Sequence, residues 1–210
     1  MPKPILIWDF DGVMADSTAF VFAYWQTQMH KAGYNFELSD YQATFTHKFP
    51  FEYLAENYGD IAAEIKERYS AFEAANYPQT VSAFPNFIKE FKHISPDFEH
   101  HVVSSNLAQV INDWFVIHKI DQHFSSVVGR ETAGYKDEKI TNLLKRLNRK
   151  PHEALFIGDT TSDIHHAQKA GLKNIAVSWG VHSRAVLEFS KPDIICDTVP
   201  ELFKLLVDEH

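Results

Sequence analysis

The chain has 210 residues, of which 45% are apolar and 23% are charged, as is typical of a soluble globular protein. Its formal charge of −8 argues against nucleic acid as a partner, because phosphate backbones attract basic surfaces. The single cysteine, Cys196, can form no internal disulfide bond, which fits a reducing compartment. We find no signal peptide and no membrane-spanning stretch, so we expect a cytoplasmic protein without a membrane partner.

Short apolar segments alternate with helical patterns along much of the chain. The first such segment, residues 4–8, is continuously apolar and β-prone, which predicts a strand that is buried on both faces. Further strands with helical spacing between them predict a parallel sheet covered by helices on both sides, a Rossmann-like α/β fold. The other predicted strands are 101–103, 126–128, 154–157, 174–177 and 193–195.

The segment 17–80 breaks this alternation. It contains no convincing buried strand, it is rich in aromatic residues, and it shows helical patterns at 19–30 and 61–73. A strand–helix–strand unit needs ~30 residues, whereas ~90 separate the first two predicted strands, so about 60 are surplus. We interpret residues 17–80 as a helical cap inserted after the first strand. The catalytic core is then predicted to comprise residues 1–16 and 81–210.

Acidic motifs follow two of the predicted strands. Residues 9–13 read Asp-Phe-Asp-Gly-Val, and residues 156–163 read Phe-Ile-Gly-Asp-Thr-Thr-Ser-Asp. The carboxyl ends of parallel strands are where ligands bind, and neighbouring carboxylates there are costly unless they share a cation or protons. Each motif taken alone has a plainer interpretation, either a polar turn or the N-terminus of a helix.

Two further signals are weaker individually. Ser104 and Ser105 follow the strand 101–103, where hydroxyl and backbone N–H groups can face an anion. Taken alone, such a serine pair most often caps a helix, and a lone lysine such as Lys136 is usually a solvated residue. The twelve histidines show no His-x-x-x-His or Cys–His spacing, so we do not expect a zinc site.

The order of these four signals resembles the four-motif set of the haloacid dehalogenase superfamily, over essentially the whole chain. The surplus residues follow Gly12, where that superfamily inserts a helical cap. Residues 11–17 and 167–180 look like the phosphoglycolate phosphatase and β-phosphoglucomutase-like branch. Two positions depart from the pattern. Residues 84–86 read Phe-Pro-Asn where Pro-Gly is usual, and Lys136 is followed by Asp137 where proline is usual.

The resemblance implies a Mg²⁺-dependent phosphatase that works through an aspartyl-phosphate intermediate. In that scheme Asp9 is the nucleophile, and Asp11 is the general acid and base. The resemblance also implies phosphate binding by Ser104, Ser105 and Lys136, and Mg²⁺ binding by Asp9, Asp11, Asp159 and Asp163.

The substrate is predicted less sharply than the chemistry. We expect a small phosphorylated metabolite, with phosphoglycolate as the first to test, although the aromatic cap could equally favour a nucleoside. Within the cap, His47, Lys48 and Arg68 are the residues we suspect of touching the substrate. We expect a monomer or a homodimer.

Other activities remain open at this point. A phosphomutase would use the same aspartyl-phosphate and return the phosphoryl group to another hydroxyl. A hydrolytic dehalogenase is disfavoured, because its chemistry gives no reason for a second acid at Asp11. A phosphonate-cleaving enzyme needs a Schiff-base lysine, and no cap lysine stands in a recognisable pattern. A non-catalytic binding module would lack a catalytic position, and none is missing here.

Overall fold

The computed structural model describes residues 3–46 and 50–208, and within these ranges six parallel strands form one sheet. The strands are β1 (Ile5–Trp8), β2 (Glu99–Val103), β3 (Phe124–Val128), β4 (Ala154–Gly158), β5 (Lys173–Val177) and β6 (Ile194–Cys196). All six predicted strands are therefore present, and the Rossmann-like α/β class is confirmed. No described helix combines the length and apolar character needed to cross a bilayer.

Ten α-helices connect or flank these strands in the described part of the chain. They are α1 (Thr18–Lys31), α2 (Leu38–Ala43), α3 (Pro50–Tyr58), α4 (Ile61–Thr80), α5 (Phe87–Ile94), α6 (Ala108–His118), α7 (Lys136–Leu147), α8 (Thr161–Lys169), α9 (Arg184–Glu188) and α10 (Val199–Asp208).

The strand order is β3-β2-β1-β4-β5-β6, so the chain winds outward in both directions from the centre of the sheet. Strand β1 pairs in parallel with β2 on one side and with β4 on the other. The order reverses between β1 and β4, and in open parallel sheets a ligand crevice forms at such a reversal. Residues that follow β1 and β4 therefore lie at the predicted binding edge.

Strand β1 lies in the interior of the sheet, and both of its faces are buried. Leu6 and Trp8 pack into a hydrophobic cluster with residues of α5, α6 and α10. Ile5 and Ile7 point the other way, into a second cluster with residues of α7 and α8. An uninterrupted apolar sequence is what a strand between two helical layers requires.

The helices α1–α4, which we call the cap helices, form most of a third cluster, with Trp25, Tyr41 and Tyr69 among its buried members, and Val181 from the loop after β5 joins it. Helix α4 continues to Thr80, beyond the predicted end of its pattern at residue 73. Pro78 lies near the C-terminal end of α4, so the backbone N–H that it lacks interrupts the hydrogen-bond ladder only in the last turn. The division into a core and a cap at residues 17–80 remains a prediction.

Candidate active site

A buried lysine joins two of the predicted carboxylates. Asp9 is the first residue after β1, and its Oδ2 lies 2.7 Å from Nζ of Lys136, the first residue of α7. The same Nζ lies 2.5 Å from Oδ1 of Asp163. Burial alone would lower the pKa of Lys136, but the carboxylates of Asp163 and Asp9 raise it above its usual value. The lysine is therefore charged at neutral pH and neutralises part of the acidic site.

Burial dominates the acidity of Asp9. It raises the pKa of this carboxyl from 3.8 to about 7, although Lys136 acts in the opposite direction. The Asp163 carboxylate also contributes to the rise, because a nearby negative charge disfavours ionisation. A cation bound beside Asp9 would favour its charged form.

Asp159 and Asp163 follow β4 and are held in different ways. Asp159 is completely buried, and its Oδ2 accepts a hydrogen bond from the backbone N–H of Val181 at 2.7 Å. Asp163 forms a capping box with Thr160 at the start of α8, so its Oδ2 accepts from the Thr160 N–H at 3.1 Å and hydroxyl at 2.6 Å. Burial raises the pKa of Asp159 well above its usual value, whereas Lys136 outweighs burial and lowers that of Asp163.

Two glycines leave room for the Asp159 side chain. Gly12 has a φ of +74°, a left-handed conformation that favours glycine. A Cβ added at Gly12 or at Gly180 would overlap the Asp159 carboxylate. The turn at Gly12 is readable from the sequence, but the close approach of Gly180 is not, because it depends on how the loop after β5 folds back.

The carboxylates that follow β1 and β4 fit a divalent metal ion. Within residues 3–46 and 50–208, Asp9, Asp159 and Asp163 place carboxylate oxygens within 4.8 Å of one another. Oδ1 of Asp9 and Oδ1 of Asp159 are buried without a hydrogen-bond partner. Such unsatisfied oxygens are rare in folded proteins, and a hard cation would satisfy both. Asp163 already uses both of its oxygens, so it is better suited to support the site than to bind the metal directly.

Asp11 is held by two donors from different parts of the chain. The hydroxyl of Tyr77, on α4, donates to Asp11 Oδ1 at 2.5 Å, and the side-chain amide of Asn106 donates to Oδ2 at 3.0 Å. The backbone N–H of Asn106 in turn donates to the Ser104 hydroxyl at 3.1 Å. Tyr77 and Asn106 were not predicted from the sequence as site residues. Asn106 directly follows Ser104 and Ser105, and only this adjacency could have indicated from the sequence that it lies at the site.

A cavity of about 430 Å³ lies between the carboxyl edge of the sheet and the cap helices. Every residue to which the sequence analysis assigned a catalytic, phosphate-binding or metal-binding role lines it, namely Asp9, Asp11, Ser104, Ser105, Lys136, Asp159 and Asp163. The opposite wall carries aromatic rings, which are those of Trp25, Tyr41, Phe45, Phe51 and Tyr69. The fold thus brings the core motifs and the aromatic segment to one cavity.

An ion pair also joins the core to the cap helices. Arg130, in the loop after β3, lies 2.9 Å from Glu73 on α4 and donates to the Ser70 hydroxyl at 3.1 Å. Burial raises the pKa of Glu73 to about 7, although Arg130 opposes the rise. Arg130 and Glu73 line the cavity but were not singled out from the sequence.

Of the three cap residues suspected of touching the substrate, the structure describes only Arg68. Arg68 is exposed, pairs with Glu64 at 3.2 Å and is not among the cavity-lining residues. His47 and Lys48 lie outside the described residues.

Comparison with known proteins places this geometry in context. Residues 6–177 match the family described as haloacid dehalogenase-like hydrolase. The pyrophosphatase PpaX of Bacillus mycoides is 25% identical over 189 residues, covering 80% of this chain and 88% of that protein.

Solved structures of similar proteins share the fold. One, described as a predicted phosphatase from Clostridium acetobutylicum, superposes with a TM-score of 0.86 at 20% identity, covering 99% of this chain and 100% of the other. Another, described as a predicted phosphoglycolate phosphatase from Haemophilus somnus, gives 0.79 at 16% identity, covering 97% and 98%.

Proposed function

The chain belongs to the haloacid dehalogenase-like hydrolase family, and we propose that it is a Mg²⁺-dependent phosphatase that hydrolyses small phosphate monoesters. One observation carries the proposal. The predicted nucleophile Asp9, the buried cation Lys136 and the acid Asp11 line one cavity with the carboxylates of Asp159 and Asp163. Catalysis of phosphoryl transfer depends mainly on positioning the reacting groups and on neutralising the charge of the phosphoryl oxygens.

In the proposed first step, a carboxylate oxygen of Asp9 attacks phosphorus. An O–P bond to Asp9 forms as the bond to the leaving oxygen breaks, and Asp11 protonates that oxygen. In the second step Asp11 takes a proton from water, and the water oxygen attacks phosphorus as the O–P bond to Asp9 breaks. Phosphate is released and the Asp9 carboxylate is restored. The hydrogen bonds from Tyr77 and Asn106 orient Asp11 for both proton transfers.

The remaining groups would bind the phosphate and balance its charge. Ser104 and Ser105 offer hydroxyl groups at the cavity wall, and Lys136 offers a charged ammonium group. Asp9, Asp159 and the main-chain carbonyl of Asp11 would hold Mg²⁺, with Asp163 supporting them. When bound, the ion would supply positive charge beside the phosphoryl oxygens.

The test is phosphate release from a panel of phosphorylated metabolites, measured with and without Mg²⁺. Phosphoglycolate and inorganic pyrophosphate belong in the panel, because similar proteins carry those substrates in their descriptions. We expect release that depends on Mg²⁺. Undiminished turnover in excess chelator would contradict the metal assignment. Transfer of the phosphoryl group to a second hydroxyl, without phosphate release, would instead identify a phosphomutase.

A further inference from the structure

The cavity beside Asp9 is larger than a phosphate group needs. Its volume is about 430 Å³, and pockets that enclose drug-sized ligands typically measure ~300–1,000 Å³. A two-carbon leaving group such as glycolate would leave much of this space to water. A larger leaving group would fill that space and gain binding energy from the apolar surface that it buries. The volume therefore favours a bulkier leaving group.

The cap side of the cavity presents aromatic surface. Phe45 and Phe51 line it and are only half-buried, while Trp25 and Tyr41 pack behind them and are buried. The ring centroids of Trp25 and Phe51 lie 5.2 Å apart, and those of Tyr41 and Phe45 lie 5.0 Å apart. Each half-buried ring thus contacts a buried ring and also lines the cavity, and the Lys66 ammonium and the Arg130 guanidinium lie 5.9 and 5.8 Å from the centroid of the Phe51 ring. A flat ring bound there would gain stacking energy beyond its burial.

Small and charge-balanced side chains complete this wall. Ala55, Ala62 and Ala63 also line the cavity, and their small side chains occupy little of its space. The charged cap-side lining, among residues the structure describes, comprises two acids and two bases, which are Glu52, Glu73, Lys66 and Arg130. Arg130 is already paired with Glu73 at 2.9 Å. This end of the cavity therefore does not call for a second anionic group on the substrate.

From these features we infer that the preferred substrates are phosphate monoesters whose leaving group carries a flat aromatic ring, bound against Phe45 and Phe51. The inference rests on the proposed phosphatase function and names its substrate class. The core residues bind the phosphate, and the ring occupies the aromatic end of the cavity.

Substrates with a common type of leaving oxygen give the first test. Benzyl phosphate, a nucleoside 5′-monophosphate, a hexose 6-phosphate and phosphoglycolate all release a primary alcohol. They differ in size and flatness, and phosphoglycolate differs also by its carboxylate, so the hexose phosphate is the uncharged non-aromatic reference. We expect kcat/KM for the two aromatic substrates to exceed that for the other two by about tenfold, the scale of one aromatic contact. A value for the hexose phosphate or phosphoglycolate that equals or exceeds the aromatic ones would overturn the inference.

Matched ring deletions give the second test. Phe51→Leu should lower kcat/KM for benzyl phosphate by about tenfold and change that for phosphoglycolate little. The control is Phe22→Leu, because Phe22 is also half-buried, packs on Phe36 and does not line the cavity. The control should leave both substrates unchanged. Equal losses for both substrates in Phe51→Leu would contradict a ring-binding role.

Two substitutions that enlarge an alanine test the ring-binding role even if Phe51→Leu does not fold. Ala63 and Ala71 are both exposed alanines of α4, but only Ala63 lines the cavity. Ala63→Leu should lower kcat/KM for benzyl phosphate by several fold and spare phosphoglycolate, and Ala71→Leu should affect neither. No discrimination between substrates in Ala63→Leu would count against the inference.

The two proposals fail in different ways. Phosphate release from phosphoglycolate without any preference for aromatic substrates would overturn only the substrate class. No release from any substrate by the Mg²⁺-loaded wild-type protein would overturn the phosphatase function and the substrate class together.

Discussion

Lys136 shows how one side chain organises the acidic site. Its ammonium group contacts both Asp9 and Asp163, and all three side chains are buried. A buried charge is tolerated when it is paired and hydrogen-bonded, and its removal leaves its partners uncompensated. Asp163 pairs with Lys136 and still caps the N-terminus of α8. Asp9 and Asp159 are the two acids of the site that each keep a buried oxygen without a hydrogen-bond partner.

The two aspartates of the first motif should respond differently to substitution. Asp9→Asn should reduce turnover by several orders of magnitude, because it removes both a nucleophile and a proposed ligand. Asp11→Asn should slow turnover without preventing metal binding, because Asp11 is proposed to act chiefly in proton transfer. Brief exposure to substrate followed by mass spectrometry should place a phosphoryl group on Asp9. Finding it on another residue would refute the scheme.

At the level of elements, helix α4 contributes one stripe of side chains to the site. Tyr69, Glu73 and Tyr77 lie four residues apart, so they share a face, and all three are buried. Tyr77 donates to Asp11, which is 66 residues away in the sequence. The helix therefore carries a hydrogen-bond donor from the cap helices to the proposed acid of the core.

Removing that donor tests the importance of the stripe. Tyr77→Phe keeps the ring but deletes the hydroxyl, so Asp11 loses one of its two orienting hydrogen bonds. A hydrogen bond to a charged group is worth about 1.5–3 kcal/mol, so we expect kcat to fall by about tenfold or more with little change in KM. Tyr53→Phe on α3, outside the cavity lining, is the control. An unchanged kcat in Tyr77→Phe would show that Asn106 orients Asp11 sufficiently.

The same elements show what the sequence can and cannot predict. Buried parallel strands have continuous apolar sequences, so the strands were readable, and the residues after β1, β2 and β4 followed from their ends. The contacts of Arg130 with Glu73 and of Gly180 with Asp159 were not readable. Glu73 and Arg130 are 57 residues apart, and neither stands in a recognisable motif. Which residues form such contacts depends on how distant parts of the chain pack together in the folded protein.

At the scale of the whole molecule, several separate contacts join the cap helices and the loop after α2 to the core around the cavity. The pairs are Tyr77–Asp11, Gln42–Val181, Gln42–His182, Glu52–Tyr135, Glu73–Arg130 and Phe45–Ser162. Most are hydrogen bonds that involve polar side chains, which can exchange partners with water. Because these contacts can open and re-form, we expect the cap helices to move relative to the core during turnover.

Stability should depend on pH through a histidine far from the cavity. His100 is buried, accepts a hydrogen bond from the Trp8 indole at 3.1 Å, and has its pKa lowered by burial from 6.5 to about 4. Between these values the unfolded chain binds a proton that the folded protein does not. The contribution of His100 to stability is therefore complete above pH 6.5 and is lost as the pH falls toward 4.

The buried acids have raised pKa values, which favour the folded state as the pH falls and so oppose the effect of His100. A variant is therefore needed to separate the contribution of His100 to the pH dependence of stability. His100→Gln keeps an acceptor for the Trp8 indole but cannot titrate. Urea unfolding at about pH 7 and about pH 5 should show the wild type losing more stability than the variant, by up to about 2 kcal/mol. His152→Gln, at an exposed position, is the control. Equal losses in the wild type and His100→Gln would contradict the assignment.

We expect metal binding at Asp9 and Asp159 to be an exchange of protons for the ion, because both carboxyl groups have raised pKa values. Burial raises the pKa of Asp9 to about 7 and that of Asp159 well above its usual value, so near neutral pH the metal-free site retains protons. Carboxylates bind a divalent cation in their ionised form, so each ion bound should expel protons, and affinity should rise with pH. Calorimetric titration with Mg²⁺ at about pH 6, in buffers of different ionisation enthalpy, should detect this release. A binding heat that does not vary with the buffer would show that no proton leaves.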